Sequence, residues 1–253
     1  MSEEQIELAA QWIAQSKKLV IFTGAGISTE SGLPDFRGPN GVWTRRDKGL
    51  PPPRTKKPWH LVDPNPAHNA VVAFQNMGLL DFLISQNVDN LHLKSGIKPE
   101  LLAELHGNTT LMRCLKCDRR MPFDEAGWDE KIHGKGYRTS PALPGQPRCP
   151  YCEGRIISSV VNFGDSLPEK DLNDALQHSR ACDVFLAIGS SLVVTPAAYM
   201  PQLALQAGAK VILLNKGETP FDNTVGLRMH GKAGIILPKI VSRVKELLRE
   251  NSQ

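Results

Sequence analysis

No apolar run in this chain of 253 residues approaches the ~20 residues that a membrane-spanning helix requires, so no membrane role is expected. A basic leader is missing too. The sequence opens Met-Ser-Glu-Glu-Gln, acidic and polar, so a signal peptide is not expected and the chain reads as intracellular. Excess charge is also lacking: 30 basic residues against 26 acidic ones leave a net +4. Nucleic-acid or chromatin contact therefore gains no support from net charge. The densest positive stretch, Arg45-Arg46-Asp47-Lys48 followed by Arg54 to Lys57, lies in a proline-rich segment. It reads as solvated loop, with attraction of acidic partners or phosphate as the alternative. Internal repeats and low-complexity tracts are absent. The five cysteines are an odd number, and four of them form two Cys-x-x-Cys pairs, a pattern that in an unsecreted chain favours metal over disulfides. What remains is 41% hydrophobic and 22% charged, ordinary for a globular protein long enough to bury a sizeable core.

Apolar periodicity predicts a helix over 3–15, with Ile6, Leu8, Ala9, Trp12 and Ile13 facing inward. Leu19 to Phe22 is a short apolar run ending in Thr23-Gly-Ala-Gly26, the pattern of a buried strand entering a glycine turn. Residues 38–66 hold seven prolines and read as loop with short helical pieces. Asn65-Pro66 has the form of an N-cap and first helical residue. Further strands are expected at 83–86, 156–163, 184–188 and 211–214. Further helices are expected after a Ser166 to Glu169 capping box, after Thr195-Pro196, and over 235–248. Strands alternating with helices imply an α/β fold: a Rossmann-like parallel sheet with helices on both faces. Residues 1–108 and 157–253 would form that domain, with 38–66 as a loop and helical segment. Residues 109–156 would be an inserted module.

Several turns carry residues suited to binding. Gly24 and Gly26 let the backbone approach a pyrophosphate, but position 29, where a dehydrogenase fingerprint wants glycine, is Thr29. A ligand-free tight turn stays open on this motif alone. Asp35-Phe36-Arg37 sits between Gly32 and Gly38; Arg37 can pair with phosphate or carboxylate, and Phe36 can cap a flat ring. Gln86-Asn87-Val88-Asp89 lies at a strand end, where amides and a carboxylate can address a ribose and a carboxamide or merely turn the chain. His106 titrates near neutrality, as a general base must, though a lone histidine can equally be structural. The loops at Val161 to Asp165, Gly189 to Ser191 and Asn215 follow the same strand-end logic.

The cysteines are more specific. Cys114 and Cys117 form one knuckle, Cys149 and Cys152 a second, with 31 residues between them. Four thiolates fit one structural Zn²⁺, closed to further ligands. Neither pair follows a strand at a helix start, which disfavours a redox role. Cys182, beside a predicted strand, reads as an inert core thiol.

Taken together, Gly24-Ala-Gly-Ile-Ser28, Gly32-Leu-Pro-Asp-Phe-Arg-Gly38, Gln86-Asn-Val-Asp89, His106-Gly107, the two cysteine pairs, Phe163-Gly-Asp165, Gly189-Ser-Ser-Leu192 and Asn215 resemble the sirtuin (Sir2) family in its order. Gly38-Pro-Asn-Gly-Val-Trp43-Thr, Val88-Asp-Asn-Leu-His92, Asp165-Ser-Leu-Pro-Glu169 and Arg228-Met-His-Gly231 resemble the branch containing nuclear, chromatin-associated members. The resemblance implies an NAD-dependent protein-lysine deacylase acting on acylated lysines. Gly24, Ala25, Thr29, Phe36, Arg37, Trp43, Gln86, Gly189, Ser190, Ser191, Asn215 and Ala233 would line the NAD site. Asn87 and Asp89 would hold the nicotinamide ribose and carboxamide, with Asp35 nearby. His106 would be the general base, and Val161, Asn162, Phe163, Gly164 and Asp165 would border the acyl-lysine tunnel. In that family the acyl oxygen attacks the ribose carbon and expels nicotinamide; the base then activates a ribose hydroxyl, and O-acyl-ADP-ribose and free lysine leave.

Two departures bear on substrate. Asp165 stands where many relatives have glutamate. The tyrosine and arginine of desuccinylating members have no match in the helix after the cofactor loop, since the tyrosines are Tyr137, Tyr151 and Tyr199. Poor turnover of succinyl-lysine is expected. Alternative readings are protein mono-ADP-ribosyl transfer and a zinc-stabilised NAD- or chromatin-binding module, although a pure binder needs no base. The expected location is cytoplasmic, or nuclear in a eukaryote. Acyl length, protein substrates and oligomeric state are not legible here.

Overall fold

The computed structural model describes residues 2–55 and 57–251. Lys56, in the basic stretch, and Met1, in the polar N-terminus, lie outside them, as do Ser252 and Gln253. Ser2 caps α1 (Glu3–Ala14): its hydroxyl accepts from the Gln5 amide, and the Gln5 side chain accepts from the Ser2 N–H. Two otherwise orphan donors are satisfied this way. Ala9, Ala10 and Ile13 are the buried positions of α1, whereas Leu8 is 36% exposed. Ile6 and Trp12 pack against the same core, so the expected inward face holds at every position but Leu8.

The wholly buried β1 (Leu19–Thr23) follows, then a 3₁₀ turn over Ala25–Ser31 and the short α2 (Val42–Asp47). Asn65 caps α3 (Pro66–Asn76), its side chain accepting from the Ala67 amide at 2.8 Å. Next come β2 (Leu80–Ser85), α4 (Leu91–Ser95) and β3 (Leu102–Glu104). The insertion contributes β4 (Leu111–Cys114), β5 (Arg120–Pro122), α5 (Glu130–His133) and β6 (Ile156–Ser158). The chain then completes α6 (Glu169–Ala181), β7 (Val184–Ile188), α7 (Tyr199–Gln206), β8 (Lys210–Leu214), β9 (Leu227–Met229) and α8 (Ala233–Glu250).

Six strands form one parallel sheet in the order β3-β2-β1-β7-β8-β9. Counted among themselves they run 3-2-1-4-5-6, the doubly wound order in which the strand order reverses between the first and fourth strands. On one face, Ile13, Phe74, Leu237 and Val244 from α1, α3 and α8 pack on Leu19 and Ile21. On the other, Ala175, Met200 and Ala204 from α6 and α7 cover Val20, Phe22 and Phe185. Each fully buried phenylalanine of this second layer contributes roughly 1.5–3 kcal/mol relative to exposure. A smaller antiparallel sheet, β5-β4-β6, carries the insertion over Met112, Met121, Trp128 and Ile156.

Three expectations are corrected. The strand predicted over 156–163 ends at Ser158 and pairs with β4 rather than returning to the main sheet. Its exit is turned by Ser159, whose hydroxyl donates to the Asn108 carbonyl at 2.7 Å. The Ser166 capping box does not form; Pro168 precedes the helix and no side chain caps it, because Ser166 stands too early. Thr195-Pro196 begins a turn, and α7 starts only at Tyr199. The strands β3 and β9, each of three residues, were too short for periodicity to announce.

Candidate active site and zinc centre

The reversal point between β1 and β7 opens into a cleft of about 1480 Å³. That exceeds the ~300–1,000 Å³ of a single small-molecule pocket, so it has room for more than one ligand. Its floor is backbone on backbone. The Gly26 amide donates to the Gly189 carbonyl at 2.8 Å, and a Cβ added at Gly24 or Gly26 would meet that oxygen at 2.8 or 2.6 Å. Gly189 itself has φ +62 and faces Ile27 N, so a side chain there would be both strained and blocked. The glycines are thus required by the meeting of two turns, whatever is bound above them. Ala25 and Thr29 line the cleft from the 3₁₀ turn, Thr29 returning its hydroxyl to the Gly26 carbonyl at 2.9 Å.

Behind the floor lies a polar group of three, with Ser28 and Asn87 buried and Asp89 partly so. Ser28 donates to Asp89 Oδ2 at 2.6 Å, and Asn87 Nδ2 donates to the Gly24 carbonyl at 3.2 Å and to Ser28 Oγ at 3.3 Å. Asp89 Oδ1 accepts from the Leu91 amide at 3.0 Å. Burial pushes the Asp89 carboxyl up, and the Ser28 and Leu91 bonds pull against it. Ser28 was not singled out as a site residue, although it ends the Gly24 to Ser28 motif. Its hydroxyl matters only because residues from β2's exit fold onto it.

Gln86 spans the cleft from β2 to β7: its Nε2 donates to Ser190 Oγ at 2.7 Å. Its carbonyl lies 2.9 Å from His106 Nδ1. A carbonyl can only accept, so Nδ1 carries the proton in the neutral ring, and Nε2 keeps its lone pair. Nε2 makes no hydrogen bond to the protein among the described residues. Burial lowers the His106 pKa, and the Gln86 bond raises it less. The ring is neutral near pH 7 and poised as a base.

The outer walls are loops. Asp35 Oδ1 accepts from the Gly38 amide at 3.0 Å, folding the Phe36-Arg37 tip back on itself. The Arg37 guanidinium makes no hydrogen bond or ion pair among the described residues. Phe36, Trp43 and Phe163 form a chain of rings with successive centroids 5.7 Å apart. Phe163, 76% exposed, comes from the opposite loop, so the rings bridge the two walls. Val161 and Asn162 precede it, and the Val161 amide donates to the His106 carbonyl at 2.9 Å. Asp165 Oδ2 accepts from the Asn162 amide at 3.2 Å across Gly164 at φ +90, so this carboxylate is engaged in turning its own loop. Ser191, Asn215 and Ala233 close the far end, Asn215 held by a 3.0 Å bond to the Gly217 carbonyl. Ala233 is the first residue of α8, where Glu30 accepts from the Gly234 amide at 2.7 Å. Every site residue named from the sequence, the cysteines apart, lines this one cleft.

The four sulfurs of Cys114, Cys117, Cys149 and Cys152 lie within 4.8 Å of one another, with close pairs at 3.5 and 3.8 Å. Tetrahedral zinc with sulfur at about 2.3 Å would set the sulfurs about 3.8 Å apart, so the donor set fits. A Cβ on Gly154 would come within 2.7 Å of Cys114 Sγ, so glycine is needed to leave that sulfur room. None of the four lines the cleft, which assigns the metal to folding rather than catalysis. Cys182 is buried and its thiol is pushed up to about 12 by that burial, in keeping with an inert core residue.

Residues 53–196 match the family model described as "Sir2 family". The chain is 39% identical over 266 residues to "NAD-dependent protein deacylase 2" of Archaeoglobus fulgidus, covering 98% of this chain and 99% of that one. It is 37% identical over 244 residues to "NAD-dependent protein deacetylase SRT1" of Arabidopsis thaliana, covering 96% of this chain and 49% of the plant protein. The chain thus spans about half the length of that curated plant relative. Among solved structures, "Sir2Af2 bound to a myristoylated histone peptide" superposes with a TM-score of 0.68 at 35% identity, covering 98% of this chain and 100% of that one.

Proposed function

The chain belongs to the Sir2 family, and from that premise we propose that it is an NAD-dependent protein-lysine deacylase. It would pass the acyl group of a modified lysine to the ADP-ribose part of NAD, releasing nicotinamide and free lysine. The observation that carries this reading is His106, whose Nδ1 is committed to the Gln86 carbonyl so that Nε2 stands ready to take a proton inside the cleft.

The other residues supply binding and orientation. The Ala25 amide, which opens the 3₁₀ turn, and the free Arg37 guanidinium suit a pyrophosphate. Asn87, Ser28 and Asp89 form a preorganised polar wall for the nicotinamide end. With substrates bound, the Phe36–Trp43–Phe163 rings would shield the reacting centre from water, which would protect an acyl transfer from hydrolysis. No hydride geometry is needed, and the lack of glycine at Thr29 fits this use of NAD as an electrophile. Zinc, held by the four cysteines, would fix the fold of the insertion.

Long acyl chains join acetyl among the proposed substrates. The relative bound to a myristoylated peptide and the size of the cleft support this. One assay tests the function: NAD and an acetyl-lysine peptide are incubated with the protein, and nicotinamide and O-acetyl-ADP-ribose are followed. Neither product forming, or His106→Ala leaving both unchanged, would reject deacylation. ADP-ribose retained on protein would point to transferase activity instead.

A further inference from the structure

One arginine of the insertion reaches out of its own module. Arg120 opens β5, yet its guanidinium donates to Glu104 Oε2 at 3.4 Å and to the Glu104 carbonyl at 3.3 Å, and also to Asp171 of α6. Glu104 ends β3 of the main sheet, two residues before His106. All three side chains are largely buried, with 18%, 6% and 13% exposure for Arg120, Glu104 and Asp171. The Glu104 amide is itself held by Asp171 Oδ1 at 3.2 Å.

The chain of bonds continues inward. Glu104 Oε1 accepts from Asn108 Nδ2 at 2.7 Å, and the same Asn108 amide donates to Asn90 Oδ1 at 2.9 Å. Asn90 sits in the left-handed region at φ +65, directly after Asp89 and directly before α4. Asn108 follows His106 by two residues, and its own amide and carbonyl are both bonded to Ser159 Oγ, at 3.0 and 2.7 Å. A single buried asparagine therefore holds the loop of Asp89, the loop of His106 and the exit of β6. Its acceptor on the far side is a carboxylate that an arginine of the insertion holds in place.

We infer that Arg120 is a positioning residue for the reaction, fixing through Glu104 and Asn108 the loops that carry Asp89 and His106. Folding of the zinc module would thereby be read out at the base. This rests on the deacylase reading for its kinetic consequence, but the bond chain exists independently of it. An uncompensated pair of buried carboxylates is the alternative to Arg120, and burial already pushes Glu104 up to about 7 even with that cation present.

The test uses the full zinc-loaded chain with Arg120→Ala, Arg120→Lys, Asn108→Ala and the Arg120→Ala/Asn108→Ala double variant. Displacing a base loop by a fraction of an ångström should lower kcat by on the order of tenfold to 100-fold in Arg120→Ala. KM for the acetyl peptide should stay near its original value, with one zinc per chain retained. Arg120→Lys keeps the charge without the planar fork and should recover part of the loss. Because the residues act in series, the double variant should be no worse than the poorer single one, within about twofold. Full kcat in Arg120→Ala, multiplying losses in the double variant, or loss of zinc in step with activity would each overturn the inference.

Amide hydrogen exchange over residues 88–92 and 106–110 separates this inference from the deacylase reading. Exchange there should quicken in both Arg120 variants, more in the alanine one, whether or not the protein turns over. Unchanged exchange in both would overturn the bond chain as a positioning device. Wild-type protein that releases no nicotinamide would overturn the deacylase reading alone.

Discussion

Ser28 and Asp89 share a 2.6 Å hydrogen bond in which the hydroxyl donates to a carboxylate that burial would otherwise drive toward its neutral form. Removing the donor in Ser28→Ala leaves Asp89 with only its backbone partners and loosens Asn87 as well. A buried hydrogen bond to a charged group is worth about 1.5–3 kcal/mol, so kcat/KM for NAD should fall roughly 10- to 100-fold. Steady-state kinetics at saturating peptide would show this; an unchanged value would mean the trio is only structural.

The His106 ring gives a pH prediction. Burial lowers its pKa, and its chemistry needs the neutral form, so the acid limb of kcat should fall below the ordinary imidazole value of about 6.5. Activity stays on its plateau at pH 7 and drops only on further acidification. A limb centred above pH 6.5 that His106 alone explains would contradict the environment described.

A second histidine pair bears on stability rather than turnover. His68 and His92 are buried against each other with centroids 5.1 Å apart; burial lowers His68 to about 4 and holds His92 well below the ordinary imidazole value. The unfolded chain binds protons near pH 6.5 that the folded one refuses. Stability is therefore full above that value and declines as pH falls toward 4. For His68 alone the loss approaches roughly 3 kcal/mol. Urea midpoints at pH 7.5, 6 and 4.5 should descend in that order; a flat series would show that the pair is hydrated or already charged.

Zinc should be present at one ion per freshly purified chain and should be lost to a strong chelator with unfolding of the insertion, because structural zinc binding is coupled to folding. Cys149→Ser, which removes a buried ligand, should reproduce the effect without chelator. Metal analysis with thermal unfolding measures both. Full zinc occupancy in Cys149→Ser would exclude the four-sulfur centre.

Legibility in the sequence followed the range of the interactions. The cysteine knuckles, the Asn65 cap and the buried strands at 19–23 and 184–188 are local patterns, and each formed where the residues placed it. Ser28 was passed over because its two partners are 59 and 61 residues away and no spacing rule joins them. Arg120 reads as one more surface cation until Glu104 and Asp171 close on it. The Ile156 to Ser158 segment looked like a return to the main sheet because a strand's pattern does not name its partner, and β4 claimed it. The glycines were legible as a turn, but their cause, the carbonyl of Gly189, comes from a distant strand.

That cause limits how such a cleft can diversify. Its floor is main chain pressed against main chain at Gly24, Gly26 and Gly189, so substitution there offers no graded change: a side chain either breaks the sheet ends apart or is not tolerated. Anything that tunes what the cleft accepts must be written in the rim loops around Phe36, Trp43 and Phe163. The floor is in this sense the fixed half of the cleft, and the rim is the half free to drift.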